Sequence, residues 1–144
     1  MRICAALFVS LLALAQGGPD PWTPAELVQP KDVAARLGSK PVLFHVGCGH
    51  LYRSKHIPGT IYVGPGGRDE GLNQLRTAAA KLPRDREIIV YCGCCPWNAC
   101  PNMRPAFRAL KEMGFQRVRA MYTPTNLLKD WIEKGYPVEG ATAK

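Results

Sequence analysis

Short runs of β-branched and aromatic residues alternate along this 144-residue chain with segments whose apolar residues recur at helical spacing. The runs are Pro41 to Gly47, Thr60 to Val63, Glu87 to Tyr91 and Arg117 to Tyr122; each reads as a strand bounded by turn residues. Between and around them lie the helical patterns. Thr23-Pro24 supplies an N-cap with proline at the first helical position, and Leu27, Val28, Val33, Ala34 and Leu37 continue to Gly38. Pro30 divides that stretch into two short helices, because proline inside a helix removes a hydrogen bond. Leu72, Leu75, Ala79 and Leu82 mark a second pattern that ends at Pro83. Ala106, Phe107, Leu110 and Met113 mark a third, stopped by Gly114, and Leu127, Leu128, Trp131 and Ile132 a last one closed by Gly135 and Pro137. Alternation of this kind predicts right-handed βαβ units: a three-layer α/β/α fold with a central, mostly parallel sheet. Ligands in such sheets bind beyond the carboxyl ends of the strands.

The third strand run leads directly into Cys92-Gly-Cys94-Cys95-Pro-Trp-Asn-Ala-Cys100. Gly93, Pro96 and Pro101 exclude regular structure there, and a helical pattern starts at Met103. Four sulfurs therefore line a strand–loop–helix junction, where backbone N–H groups and the positive end of a helix dipole favour anions. A thiol in that position is expected to ionise more readily than a free one, and the thiolate is both nucleophile and metal ligand.

The first residues have a different character. Arg2 supplies a positive n-region, Ile3 to Leu14 an apolar stretch, and Ala13-Leu14-Ala15 a small-x-small cleavage site. This is the pattern of a secretory signal peptide over residues 1–15, too short for the ~20 apolar residues of a membrane span. Residues 16–21 read as a Gly/Pro linker, 22–140 as one domain and 141–144 as a tail. The expected location is outside the cytosol, periplasmic or extracellular, with no stable membrane insertion after cleavage. Without residues 1–15 the chain has 18 basic and 11 acidic residues, a net +7, scattered with no Lys/Arg block. That is a mildly cationic surface suited to anionic substrates, and no nucleic-acid footprint.

Cleavage removes Cys4 and leaves Cys48, Cys92, Cys94, Cys95 and Cys100. Disulfides persist outside the cytosol, yet five is an odd number, so at least one thiol stays free, ligates or pairs between chains. Bridges inside a nine-residue loop would close only short rings and stabilise little. A Cys94–Cys95 bridge between neighbours would be strained.

The order of elements, together with several short segments, resembles the rhodanese-like domain family over about residues 22–139. The segments are Thr23-Pro-Ala-Glu-Leu27, Val42-Leu-Phe-His-Val46, Lys55-His-Ile-Pro-Gly-Thr60, Ile88-Ile-Val-Tyr-Cys92, Ala106 to Phe115 and Trp131 to Val138. The resemblance implies a sulfurtransferase in which Cys92 takes sulfane sulfur from a small anionic donor such as thiosulfate. The sulfur is held as a persulfide and passed to a thiol or cyanide acceptor, with no metal and no cofactor. Loop N–H groups would stabilise the charged sulfur. Two departures stand out. The family's arginine about five residues after the cysteine is missing, the first being Arg104, and the "DVR" after the first strand is His45-Val46-Gly47.

On that basis the expected site is Cys92 as nucleophile, with Gly93, Cys94, Cys95 and Arg104 binding substrate. Cys94, Cys95 and Cys100 are the alternative nucleophiles, redox partners or metal thiols. Soft ions such as Cu(I) suit three or four thiolates, although the spacings do not form the paired C-x-x-C motifs of zinc sites. A thiol–disulfide redox module is the other alternative. Arg108 is expected on a solvated helix face and His45 as a satisfied core histidine. Cys48 and His50 are expected in a loop at the same sheet edge as the sulfurs, with His56 shaping a turn and Trp97 in an exposed loop.

Overall fold

A computed structural model describes residues 19–140. The expected signal peptide, the linker before Pro19 and the tail 141–144 lie outside the described residues.

Five parallel strands form one sheet: β1 (Leu27–Val28), β2 (Val42–His45), β3 (Ile61–Tyr62), β4 (Ile88–Tyr91) and β5 (Val118–Met121). Their order across the sheet is β1-β5-β4-β2-β3. The register pairs Phe44 with Val90 and with Ile61, and Val90 with Ala120. The helices are α1 (Pro30–Arg36), α2 (Gly49–Ser54), α3 (Asp69–Ala80) and α4 (Met103–Glu112).

β4 lies at the centre, and all four of its residues are buried, as a strand covered on both faces requires. Side chains alternate across the sheet. Ile88 and Val90 enter one core with Phe44, Leu75, Phe107 and Leu110, beneath α3 and α4. Ile89 and Tyr91 enter the other with Leu43, Val33 and Trp131, beneath α1 and the C-terminal segment. Among the described residues no helix is long and apolar enough to cross a membrane.

Three elements differ from expectation. Leu27 and Val28 belong to a strand, not a helix. Pro24–Glu26 makes a single 3-10 turn whose Glu26 carboxylate accepts the Thr23 N–H at 2.9 Å, and Gln29, preceding Pro30, is held extended. The two apolar residues between these punctuations pair with the open edge of β5. His50, expected in a loop with Cys48, lies instead in α2. The last helical pattern is one π turn, Leu128–Ile132, in which the Glu133 N–H reaches the Leu128 carbonyl at 2.8 Å.

Candidate sulfur site

Cys92 continues the alternation of β4 onto the α3/α4 face and is almost fully buried. Space for its sulfur comes from Gly47. A Cβ at Gly47 would lie 2.6 Å from the Cys92 carbonyl oxygen and 3.1 Å from its Sγ. The glycine that replaces the family's charged residue after β2 thus makes room for the sulfur.

The loop then turns sharply. Gly93 has a φ of +77°, and a Cβ there would meet Leu127 at 2.7 Å. Its carbonyl accepts the Leu127 N–H at 3.0 Å, which seats the loop on the segment before the π turn. Further on, Trp97 is buried, not exposed: it packs on Trp22 at 4.9 Å and on Tyr122 at 5.1 Å between ring centroids. A loop that runs without regular structure from Cys92 past Cys95 needs an anchor, and this indole provides it.

Between those two attachments the sulfurs converge. Cys92 and Cys94 Sγ are 3.0 Å apart, and Cys94 and Cys95 Sγ 3.1 Å. All three lie within 4.8 Å of one another. The five described cysteines are free thiols. Asn102, directly before α4, does not cap its own helix. Its amide Nδ2 instead donates to Cys92 at 3.3 Å and to Cys94 at 3.6 Å, while its Oδ1 accepts the Gly67 N–H at 2.9 Å. Nothing in the sequence marks this residue, because an asparagine before a helix reads as an N-cap.

Shared protons divide these thiols into two kinds. Hydrogen bonding with Cys100 and Cys94, reinforced by burial, holds the proton on Cys92 and drives its pKa far up. Burial and the neighbouring Cys94 push Cys95 up to about 12, and burial raises Cys48 as well. Cys94 moves the other way, down to about 5, through its hydrogen bond with Cys92, with further help from Cys95 and Cys48. Cys100 falls to about 6 through its hydrogen bond with Cys92 and the N–H groups of Asn102 and Met103 at the start of α4. The cluster titrates as a unit. The shared protons bias negative charge toward half-buried Cys94 and buried Cys100.

A cavity of about 390 Å³ opens beside the sulfurs, lined by His45, Leu51, Cys92, Cys94, Leu127 and Leu128 among others. A second of the same volume lies at the opposite sheet end, among Arg36, Arg86, Glu87 and Arg117, and contains no sulfur.

Of the expected site residues, Cys92, Gly93, Cys94 and Cys95 are together, with Cys100 against Cys92. Arg104 is placed elsewhere. Its guanidinium pairs with Asp20 at 2.7 Å and lies over Trp22 at 5.6 Å, fastening the segment before β1 onto α4. Arg108 donates to the Pro19 carbonyl at 3.4 Å. Cys48 comes close enough to influence Cys94, whereas His50 is exposed on α2. His56 holds the Tyr52 carbonyl at 2.6 Å and pairs backbone with Glu139, a turn-shaping role. His45 departs from expectation. It is buried among Tyr52, Tyr62 and Tyr91, but neither ring nitrogen has a partner among the described residues. Burial, helped by nearby His56, lowers its pKa to about 4 and keeps the ring neutral.

The chain resembles proteins of known structure in its whole architecture. The Alr3790 protein from Anabaena shares 20% identity at a TM-score of 0.62, over 81% of this chain and 94% of that one. BH2092 from Bacillus halodurans shares 22% at 0.60, over 78% and 75%. A rhodanese-related protein from Thermoplasma volcanium shares 19% at 0.55, over 79% and 97%. Identities this low speak to the fold alone. No curated protein matches the chain. The sequence matches the Rhodanese-like domain over residues 29–122, from the end of β1 to just past β5 and across the whole sulfur loop. A match of that extent, on a parallel sheet of the same architecture, makes the chain a member of the rhodanese-like domain family.

Proposed function

We propose that the loop carries sulfane sulfur as a cysteine persulfide, taking it from a thiosulfate-type donor and passing it to a thiophilic acceptor. Cys94 is the thiolate that meets the donor. Cys92, in the family's nucleophile position, is its proton-sharing neighbour. One observation carries this reading: the half-buried Cys94 sulfur lines an open cavity at the carboxyl end of β4, where the Asn102 amide donates to it and the Cys92 and Cys95 thiols share protons with it. Donors already aimed at a sulfur that must hold negative charge stabilise thiolate and persulfide alike. Export by the N-terminal segment belongs to the same proposal.

In the transfer step the Cys94 thiolate attacks the outer sulfur of thiosulfate. The S–S bond of the donor breaks, and sulfite leaves with the electron pair. Excess cyanide then removes the outer sulfur as thiocyanate and returns the thiolate. Reduced protein with thiosulfate and cyanide should yield thiocyanate and sulfite, and Cys94→Ser should lose both. Absence of both products from the unmodified protein, with thiosulfate and with inorganic polysulfide, would end this reading.

The Cys92, Cys94 and Cys95 sulfurs, within 4.8 Å of one another, also favour a second reading, a soft-metal site for Cu(I) or Zn(II). Native mass spectrometry after loading should then show one ion per chain, blocked by prior thiol alkylation. A chain that stays metal-free after loading excludes it.

A further inference from the structure

We propose that the loop also reduces the sulfur it accepts, releasing sulfide while a Cys92–Cys94 disulfide forms. This rests on the sulfur-transfer reading above and adds a second activity to the same site.

A persulfide that no external acceptor empties is open to resolution wherever a second thiol reaches its inner sulfur. In this loop the inner sulfur would be Cys94 Sγ, which has Cys92 Sγ at 3.0 Å and Cys95 Sγ at 3.1 Å. Thiol–disulfide exchange is attack by one sulfur on another, and its rate depends on access and on which sulfur is attacked. Here access is built in. Cys95 is the poorer partner, because a bridge between adjacent residues departs from disulfide geometry. Cys92 is separated from Cys94 by Gly93 alone, whose φ of +77° folds the chain back so that the two sulfurs meet.

Burial assigns the two roles. Cys92 is almost without exposed surface, so an incoming donor meets the half-buried Cys94 first. The cavity-lining thiol beside Cys92, 3.0 Å away, is Cys94. The buried thiol is thus a resolving thiol, poised for the persulfide that its neighbour receives.

The chemistry balances. Cys94 thiolate and thiosulfate give the Cys94 persulfide anion and sulfite. The outer persulfide sulfur takes the Cys92 proton, and the Cys92 thiolate so formed attacks Cys94 Sγ, breaking the persulfide S–S bond. The outer sulfur departs with that electron pair and with the Cys92 proton, as hydrosulfide. Two electrons have passed from the two thiols to the sulfane sulfur, and the thiols are joined as a disulfide. An external dithiol reductant restores both thiols and is itself oxidised to a disulfide.

The test uses the reduced, desalted full chain under anaerobic conditions, with one equivalent of thiosulfate and no acceptor. Sulfite, sulfide and intact mass are measured, followed by peptide mapping. The expected result is sulfide equal to sulfite, a mass lower by two hydrogens, and a Cys92–Cys94 bridge. In Cys92→Ser, whatever sulfur is accepted should accumulate as a one-sulfur adduct on Cys94, and sulfide released per sulfite should fall at least about tenfold as the neighbouring thiol is lost. A stable one-sulfur adduct on the unmodified protein, with sulfite but no sulfide, overturns this inference and leaves sulfur transfer standing. A bridge that maps without Cys92 or without Cys94 overturns it too. If neither sulfite nor any mass change appears, both readings fall. The unmodified protein decides the matter even if the variant folds poorly.

Discussion

His45 shows how much one buried side chain can set. Its ring is sealed among tyrosines with no hydrogen-bond partner among the described residues, and burial holds its pKa near 4 against an ordinary 6.5. As pH falls below the ordinary value, the unfolded chain takes up a proton that the folded chain refuses. Stability is therefore full above about pH 6.5 and declines toward pH 4, by up to about 3 kcal/mol. His45→Phe should fold with a markedly flatter dependence over that range, measured as urea midpoints from pH 7 to pH 4. Parallel curves for the two proteins would show that other groups govern the acid limb. Asn102 is an ordinary residue by type, and it matters because of the two sulfurs it faces.

At the level of elements, the junctions around β4 govern the site. The exit of β2 and the sulfur loop touch at Gly47, where any side chain would collide with the Cys92 carbonyl. Gly47→Ala should cost about 1–3 kcal/mol, as overpacking does, because the obstacle is backbone and cannot rotate away. Urea denaturation checks the magnitude, and an unchanged midpoint would mean that the two segments part freely. The strand runs were legible because β-branched residues between turn signals leave little choice. β1 was not, since Leu27 and Val28 fit a helical spacing equally well and only the open edge of β5 makes them a strand. The six-residue α2 carries too little periodicity to be visible beforehand.

For the whole molecule, scaffold and chemistry are largely separable. Both cores are apolar, built by β2, β4 and β5 with the helices over them, and Cys94 and Cys95 contribute only partly buried sulfur at the rim. The double variant Cys94→Ser with Cys95→Ser should therefore melt within about 5 °C of the unmodified protein, the span that roughly 1 kcal/mol covers in a domain of this size, while forming no thiocyanate. A much larger fall in Tm would mean that the thiol cluster holds the loop and α4 in place. The family, four of the five strands and the place of the cysteine loop directly after β4 were readable from local order alone, because hydrophobic periodicity and turn residues act on near neighbours in the chain. Which sulfur bears charge, the diversion of Arg104 to Asp20, the burial of Trp97 and the approach of Asn102 were decided by tertiary structure. Hydrogen bonds and burial depend on distances between residues far apart in sequence, and only folding sets those distances.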